Sequence, residues 1–153
     1  MAALAQVAQI VGPVPRREVQ EWMEKFDILF FPSTCEGWGA VVAEAMATGL
    51  PVVTSPAGGS VVRDGVDGFV RPYDQPEQYA EVIRLLAGNK DLRLAMGRSA
   101  RRRIEEFSVA WYGSGLRKII DGVVHGETSA ATDPPRPGPG NRGPLAVPSG
   151  SGA

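Results

Sequence analysis

Two short apolar runs, Asp27-Ile-Leu-Phe-Phe31 and Val52-Val-Thr54, flank a stretch that reads as one loop and one helix. Neither run alternates apolar with polar residues, so neither suits a strand with one wet face. Each suits a strand covered on both faces, as in a parallel sheet. Pro32 closes the first run. The intervening helix is predicted over 38–48, stopped by Gly49 with Pro51 just beyond, the usual signals of a helix C-terminus. Strands alternating with helices predict an α/β domain: a Rossmann-like, mostly parallel sheet flanked by helices.

The same reading extends outward. Residues 7–11 form a short apolar run predicted as a first strand, and Pro15 opens a helix in which Val19, Trp22, Met23 and Phe26 recur at helical spacing. Trp22 and Trp111 are expected in the core. Beyond Thr54, the loop Ser55-Pro-Ala-Gly-Gly-Ser60 leads to Asp64-Gly-Val-Asp-Gly68, two Asp/Gly turn signals ahead of a strand at Phe69-Val70. Asp74 and Glu77 are spaced for a capping box on a helix whose Tyr79, Val82, Ile83 and Leu86 make one apolar stripe, ended by Gly88. An arginine-rich helix is predicted over 91–106. Ser108 caps a third, which Gly113 and Gly115 weaken. From about Glu127 the chain is Pro, Gly, Ser and Ala with almost no large apolar residue. A single domain over 1–126 and a disordered tail over 127–153 are therefore expected.

Composition removes several chemistries. The 153 residues, 43% of them apolar, suffice for one compact domain of ordinary size. A formal net charge of −1 gives no nucleic-acid footprint, and no apolar run approaches the roughly 20 residues of a membrane span. No nucleic-acid partner and no integral membrane segment are expected. One cysteine, Cys35, and one histidine, His125, cannot build a disulfide framework, a zinc cluster or a Ser-His-Asp triad. The start, MAALAQVAQIVG, lacks the basic region of a signal peptide, so a cytoplasmic location is expected. A peripheral membrane contact through Arg98, Arg101, Arg102 and Arg103 is a secondary option. Successive helix residues rotate by about 100°, which spreads those arginines, and Glu105 and Glu106 stand nearby; a solvated face is the simpler reading. Cys35 has no histidine beside it and reads as a small residue in a tight turn rather than a nucleophile.

The loop 33–39 carries the chemistry. Ligands of open parallel α/β sheets bind at the carboxyl ends of strands, where loops pass into helix N-termini. Gly37 and Gly39 allow unusual dihedrals and bring backbone N–H groups close to a ligand, and with the positive end of the helix dipole those groups suit a diphosphate or sugar oxygens. Glu36, at the mouth, can accept from sugar hydroxyls. Glu44, more than a turn further on, can reach the paired hydroxyls of a ribose. The bland alternative is that a carboxylate near a helix N-terminus gains about 0.3–1 kcal/mol from the dipole with no ligand at all.

The stretch from Phe31 to Thr54, with Gly58-Gly59 and Asp64-Gly-Val-Asp-Gly-Phe-Val70, resembles the C-terminal donor-binding domain of GT-B glycosyltransferases, closest to the retaining family 4 (group 1) enzymes. Glu36 and Glu44 match the family's Glu-x7-Glu signature, and the continuation Glu-Ala-Met-Ala-x-Gly-x-Pro-Val-Val is more specific still. The similarity runs from about residue 11 to residue 125. It implies that Glu36 contacts the donor sugar and supports charge at the anomeric carbon, that Gly37, Trp38 and Gly39 present backbone N–H groups to the donor, and that Glu44 binds the ribose. It also implies transfer from a nucleotide-diphosphate sugar to a sugar or lipid-linked acceptor with retention. The chain has no Asp-x-Asp pair, so neither a metal nor another cofactor is expected. The family's N-terminal acceptor domain and its basic diphosphate residues have no match here; Arg16 and Arg17 do not occupy those positions. A separate N-terminal GT-B domain is thus an expected partner. A competing reading keeps the fold as an inactive nucleotide-sugar-binding or interaction module. A dinucleotide dehydrogenase is disfavoured, because no G-x-G-x-x-G follows the first predicted strand.

Overall fold

A computed structural model describes residues 8–58 and 61–125. Three strands, β1 (Leu29–Phe31), β2 (Val52–Thr54) and β3 (Gly68–Val70), form one parallel sheet in that order, Leu29 facing Val52 and Val52 facing Gly68. The helices are α1 (Val19–Met23), α2 (Ala40–Thr48), α3 (Pro76–Gly88), α4 (Lys90–Glu105) and α5 (Val109–Val124). The layered α/β class read from the sequence is the class found.

Successive strand residues point to opposite faces, so a strand covered on both sides must be apolar without alternation. β2 meets that requirement. Val52 packs with Val42, Ala45 and Met46 of α2 and with Met23 on one face, and Val53 packs with Phe69, Tyr79, Val82 and Leu86 on the other. α4 serves both clusters, Ala100 entering the first and Met96 the second. Backbones approach closely at two glycines, one between α2 and α4 and one between the paired strands β2 and β3. A Cβ on Gly97 would overlap the Gly49 carbonyl at the end of α2, and a Cβ on Gly68 would overlap the backbone of Val52.

Several local expectations need correction. Residues 8–11 are not a strand: Ile10 is 80% exposed and no β-partner is present among the described residues. Apolar content alone does not make a strand when no neighbour accepts its ladder. Pro15 does open a helix, first as a 3-10 turn over Arg16–Glu18, but α1 ends at Met23 and leaves Phe26 half exposed. Trp38 lies outside α2, which begins at Ala40. The capping box at Asp74 and Glu77 is absent. Pro76, whose fixed φ suits the first helical position, sets the start of α3, so Gln75 is the N-cap and Asp74 stands one residue too early. Asn89 instead caps α4, accepting from the Leu92 amide at 2.9 Å, and Ser108 caps α5 as predicted, accepting from Trp111 at 3.2 Å. Trp22 and Trp111 are half-buried rather than core. Trp22 lines an apolar groove of about 200 Å³ with Val14, Val19, Phe26 and Leu50, and Trp111 meets the Phe107 ring edge-on. The segment 127–153 lies outside the described residues.

α5 continues through Gly113 and Gly115 yet buries no residue. Val109, Tyr112, Leu116, Ile119, Ile120 and Val123 recur every three or four positions, the spacing of one helix face, and all are exposed. The apolar face of this helix is turned to solvent.

Candidate functional site

The loop after β1 is fixed by the strand beside it. The Thr54 hydroxyl, buried at the end of β2, donates to the Phe31 carbonyl at 2.8 Å, and the Ser55 hydroxyl donates to the Ser33 carbonyl. Ser55 Oγ in turn accepts from the Gly58 amide at 3.3 Å, and Ser33 Oγ donates to the Cys35 carbonyl at 3.1 Å. Two polar residues at the mouth of β2 therefore hold the backbone of the loop after β1. Neither was singled out from sequence. A hydroxyl pair ending an otherwise apolar buried strand is the signal that would have found them.

Gly39 ends this loop and begins α2. Its φ is +69°, in the left-handed region, and a Cβ there would sit 2.9 Å from the Gly58 carbonyl oxygen, so both dihedral and space demand glycine. Gly37 differs from the sequence expectation. Its φ is not positive and a Cβ would meet nothing within 4 Å, so the free chain does not need glycine there. Open space over an exposed backbone is what a ligand approaching the chain would use.

Gly39 has no side chain with which to cap α2, and no acidic residue stands in the helix's first turn. Its carbonyl takes the amides of Val42 and Ala43, which leaves the first N–H groups of α2, those of Ala40 and Val41, without an intrahelical acceptor. The positive end of the helix is thus open at the carboxyl edge of the sheet. Glu36 and Trp38 are exposed on the loop leading to it, with Glu36 Oε1 accepting from the Gly37 amide at 3.1 Å. Glu44 sits in the second turn of α2, half exposed, its Oε1 3.2 Å from Arg16 Nη2. The predicted residues therefore line one loop and the helix it opens. Arg16, left unassigned from sequence, joins them.

The loop after β2 is held by carboxylates. Asp67, fully buried, accepts from the Arg63 amide at 3.1 Å and from its Nε and Nη2 at 2.8 Å each, and Arg63 Nη2 reaches Ser99 Oγ at 3.3 Å. Those side-chain hydrogen bonds raise the Arg63 pKa above its ordinary value. Asp64 Oδ1 accepts from the Val70 amide at 2.9 Å and from Arg71 Nη1 at 2.8 Å. Both aspartates had been read as turn formers alone. Cys35 is an exposed free thiol. Arg98, Arg101 and Arg102, three and four positions apart, share one exposed face of α4 rather than spreading around it, and Arg101 pairs with Glu105, whereas Arg103 is largely buried, bound to Glu106 and stacked over Phe107. No helix among the described residues is long and apolar enough to cross a membrane.

A parallel α/β sheet whose strand-to-helix turn exposes an uncapped helix N-terminus between two carboxylates has the form of a nucleotide-handling domain. The chain belongs to the group 1 glycosyl transferases: the sequence profile of the family described as "Glycosyl transferases group 1" matches residues 1–89. The D-inositol 3-phosphate glycosyltransferase of Streptomyces griseus subsp. griseus is 36% identical over 106 residues, covering 68% of this chain and 22% of that protein. Among solved structures, the C-terminal domain of the glycosyl transferase group 1 family protein LpcC from Francisella tularensis has a TM-score of 0.61 at 20% identity, covering 71% of this chain and 60% of that one. Anabaena Alr3699/HepE in complex with UDP-glucose has a TM-score of 0.63 at 24% identity, covering 70% and 30%. The structural likenesses establish a GT-B-type C-terminal domain fold. The first relatives are far longer than the matched region, which spans between 22% and 28% of the first two.

Proposed function

We propose that this domain binds a nucleotide-diphosphate sugar at the turn 33–44 and serves as the donor half of a glycosyltransferase that transfers the sugar with retention. The observation that carries this reading is the open N-terminus of α2 behind Gly39, with Glu36 before it and Glu44 after it. The amides of Gly37, Trp38 and Gly39 and the helix dipole receive the diphosphate. Glu44 accepts from the ribose hydroxyls, and Glu36 accepts from the sugar and supports the positive charge that develops at its anomeric carbon. The leaving phosphate takes the acceptor's proton on the same face, so Glu36 is not required as a nucleophile and no metal enters the proposal. The UDP-glucose held by Anabaena HepE makes a uridine nucleotide the first donor to test.

The acceptor, a sugar or a lipid-linked sugar, is held by a second domain supplied by the rest of a full-length enzyme or by a separate chain. The exposed apolar face of α5 is the surface chemically suited to receive that domain. Calorimetry with UDP and UDP-glucose, and with the ADP and GDP equivalents, tests the assignment. Glu44→Ala is expected to weaken the bare nucleoside diphosphate by roughly 10- to 100-fold, as for loss of a charge-assisted hydrogen bond of about 1.5–3 kcal/mol. Glu36→Ala is expected to matter mainly when the sugar is attached. Equal losses from both variants with both ligand types would contradict these roles.

A further inference from the structure

Glu44 does not stand alone in the free domain. Arg16, the first residue of the turn that enters α1, places Nη2 3.2 Å from Glu44 Oε1 although its own side chain is 88% exposed. An ion pair between groups this exposed contributes next to nothing to stability, and an unanchored arginine would gain entropy by leaving it. Its significance lies in what surrounds it. No lysine or arginine occurs between Lys25 and Arg63, so the entire loop 32–39 and α2 carry two carboxylates and no cation of their own. The cations of the following loops are engaged, Arg63 with Asp67 and Arg71 with Asp64. A nucleoside diphosphate entering this turn would meet Glu36 and Glu44 with like charge, and like charges at such range repel.

Resting on the donor-binding reading above, we propose that Arg16 is a positioning residue of the nucleotide site. It holds the Glu44 carboxylate by one oxygen, leaving the other to accept from a ribose hydroxyl, and it offsets the carboxylate charge that would otherwise repel the diphosphate. The guanidinium presents five donors in a fork, so the contact to Glu44 leaves donors for a phosphate oxygen. The pairing joins two elements distant in sequence, and it is delivered by the packing of α1 against α2. The nucleotide subsite is thereby completed from an element outside the Glu-to-Glu turn.

The test compares Arg16→Ala, Arg16→Lys and Arg16→Glu with Glu44→Ala, titrating UDP and uridine into each purified chain, with ADP and adenosine or GDP and guanosine as parallel pairs. Arg16→Ala is expected to weaken diphosphate binding about tenfold, Arg16→Glu more than that, and Arg16→Lys to restore most of the affinity. The preference for the diphosphate over its nucleoside should shrink in the same order. Raising salt should weaken UDP binding to the parent chain more than to Arg16→Ala, because the interaction it screens is already gone. Melting temperatures should not move. If Glu44→Ala loses UDP and the Arg16 variants do not, the Arg16 proposal is overturned and the donor site stands. If no diphosphate binds the parent chain, or if Glu44→Ala also binds unchanged, both fail. Equal losses of UDP and uridine would remove the charge role, and a fall in melting temperature accompanying the loss would make Arg16 a structural residue; either result overturns the proposal.

Discussion

Given a nucleotide sugar and a sugar or lipid acceptor, the 153-residue chain alone is expected to transfer sugar slower by about five orders of magnitude than it does with an acceptor-binding domain supplied. Holding two reactants at attack distance can contribute about 7–11 kcal/mol of barrier reduction, and only the donor has a proposed place on this domain. The relatives carry several times this length, and the exposed apolar face of α5 is the surface proposed above for a second domain. Radiolabelled donors, assayed with and without a separately expressed N-terminal domain from a related enzyme, measure the difference. Leu116→Glu or Ile120→Glu should abolish rescue while leaving donor binding intact, because both residues lie on that face and outside the turn 33–44. Efficient transfer by the chain alone would contradict the half-enzyme reading. Donor binding with no transfer even after a domain is supplied would favour the inactive module.

Gly68→Ala is expected to remove most of the domain's stability. The added methyl would have to occupy the space of the Val52 backbone, which is the centre of the sheet and cannot move without breaking its ladder on both sides. Overpacking against a flexible side chain costs about 1–3 kcal/mol. Against backbone the strand itself must separate, and a loss above about 4 kcal/mol is expected, a large share of the roughly 5–15 kcal/mol that such domains possess. At about 4–8 °C per kcal/mol the melting temperature should fall by some 20 °C or more, if a transition survives. Gly37→Ala provides the contrast. The same methyl meets open space at a residue whose φ is not positive, so melting should be unchanged. Circular dichroism on the two variants measures both; a Gly68→Ala chain that melts within two or three degrees of the parent, about half a kcal/mol, would show that the sheet accommodates the group.

What the sequence disclosed was governed by local signals. Gly49 and Pro51 stop α2 where their chemistry requires, and Val52-Val-Thr54 is β2 because a two-sided burial leaves no room for polar alternation. Ser108 caps α5 because its oxygen meets an amide three residues away. Expectations failed where the deciding partner was remote or where two local signals competed. The run at residues 7–11 has the composition of a strand, but its described part, 8–11, finds no sheet neighbour. The Asp74–Glu77 spacing is correct for a capping box, yet Pro76 starts the helix one residue later. The contacts of Thr54 with Phe31, of Ser55 with Ser33 and of Arg16 with Glu44 cross between elements, and no periodicity encodes them. Glu36, Glu44 and Gly39 could be placed on one loop-to-helix turn from the sequence because that turn is contiguous, whereas the need for glycine at Gly37 could not. The residues that hold the turn in place were not.

Binding of a nucleotide-diphosphate sugar at the mouth of α2 is reported most directly by amide resonances during titration of the isotopically labelled chain with UDP-glucose. Amide N–H groups that donate to a phosphate or sugar oxygen shift most, so the amides of Trp38, Gly39, Ala40 and Val41, with that of Gly37 as it leaves Glu36, are expected to move furthest and to saturate together. Glu36→Ala and Glu44→Ala should reduce the affinity extracted from those same resonances. Shifts confined to α5, or to the apolar groove beside Trp22, with the amides of residues 37–41 unmoved at saturating ligand, would contradict the account.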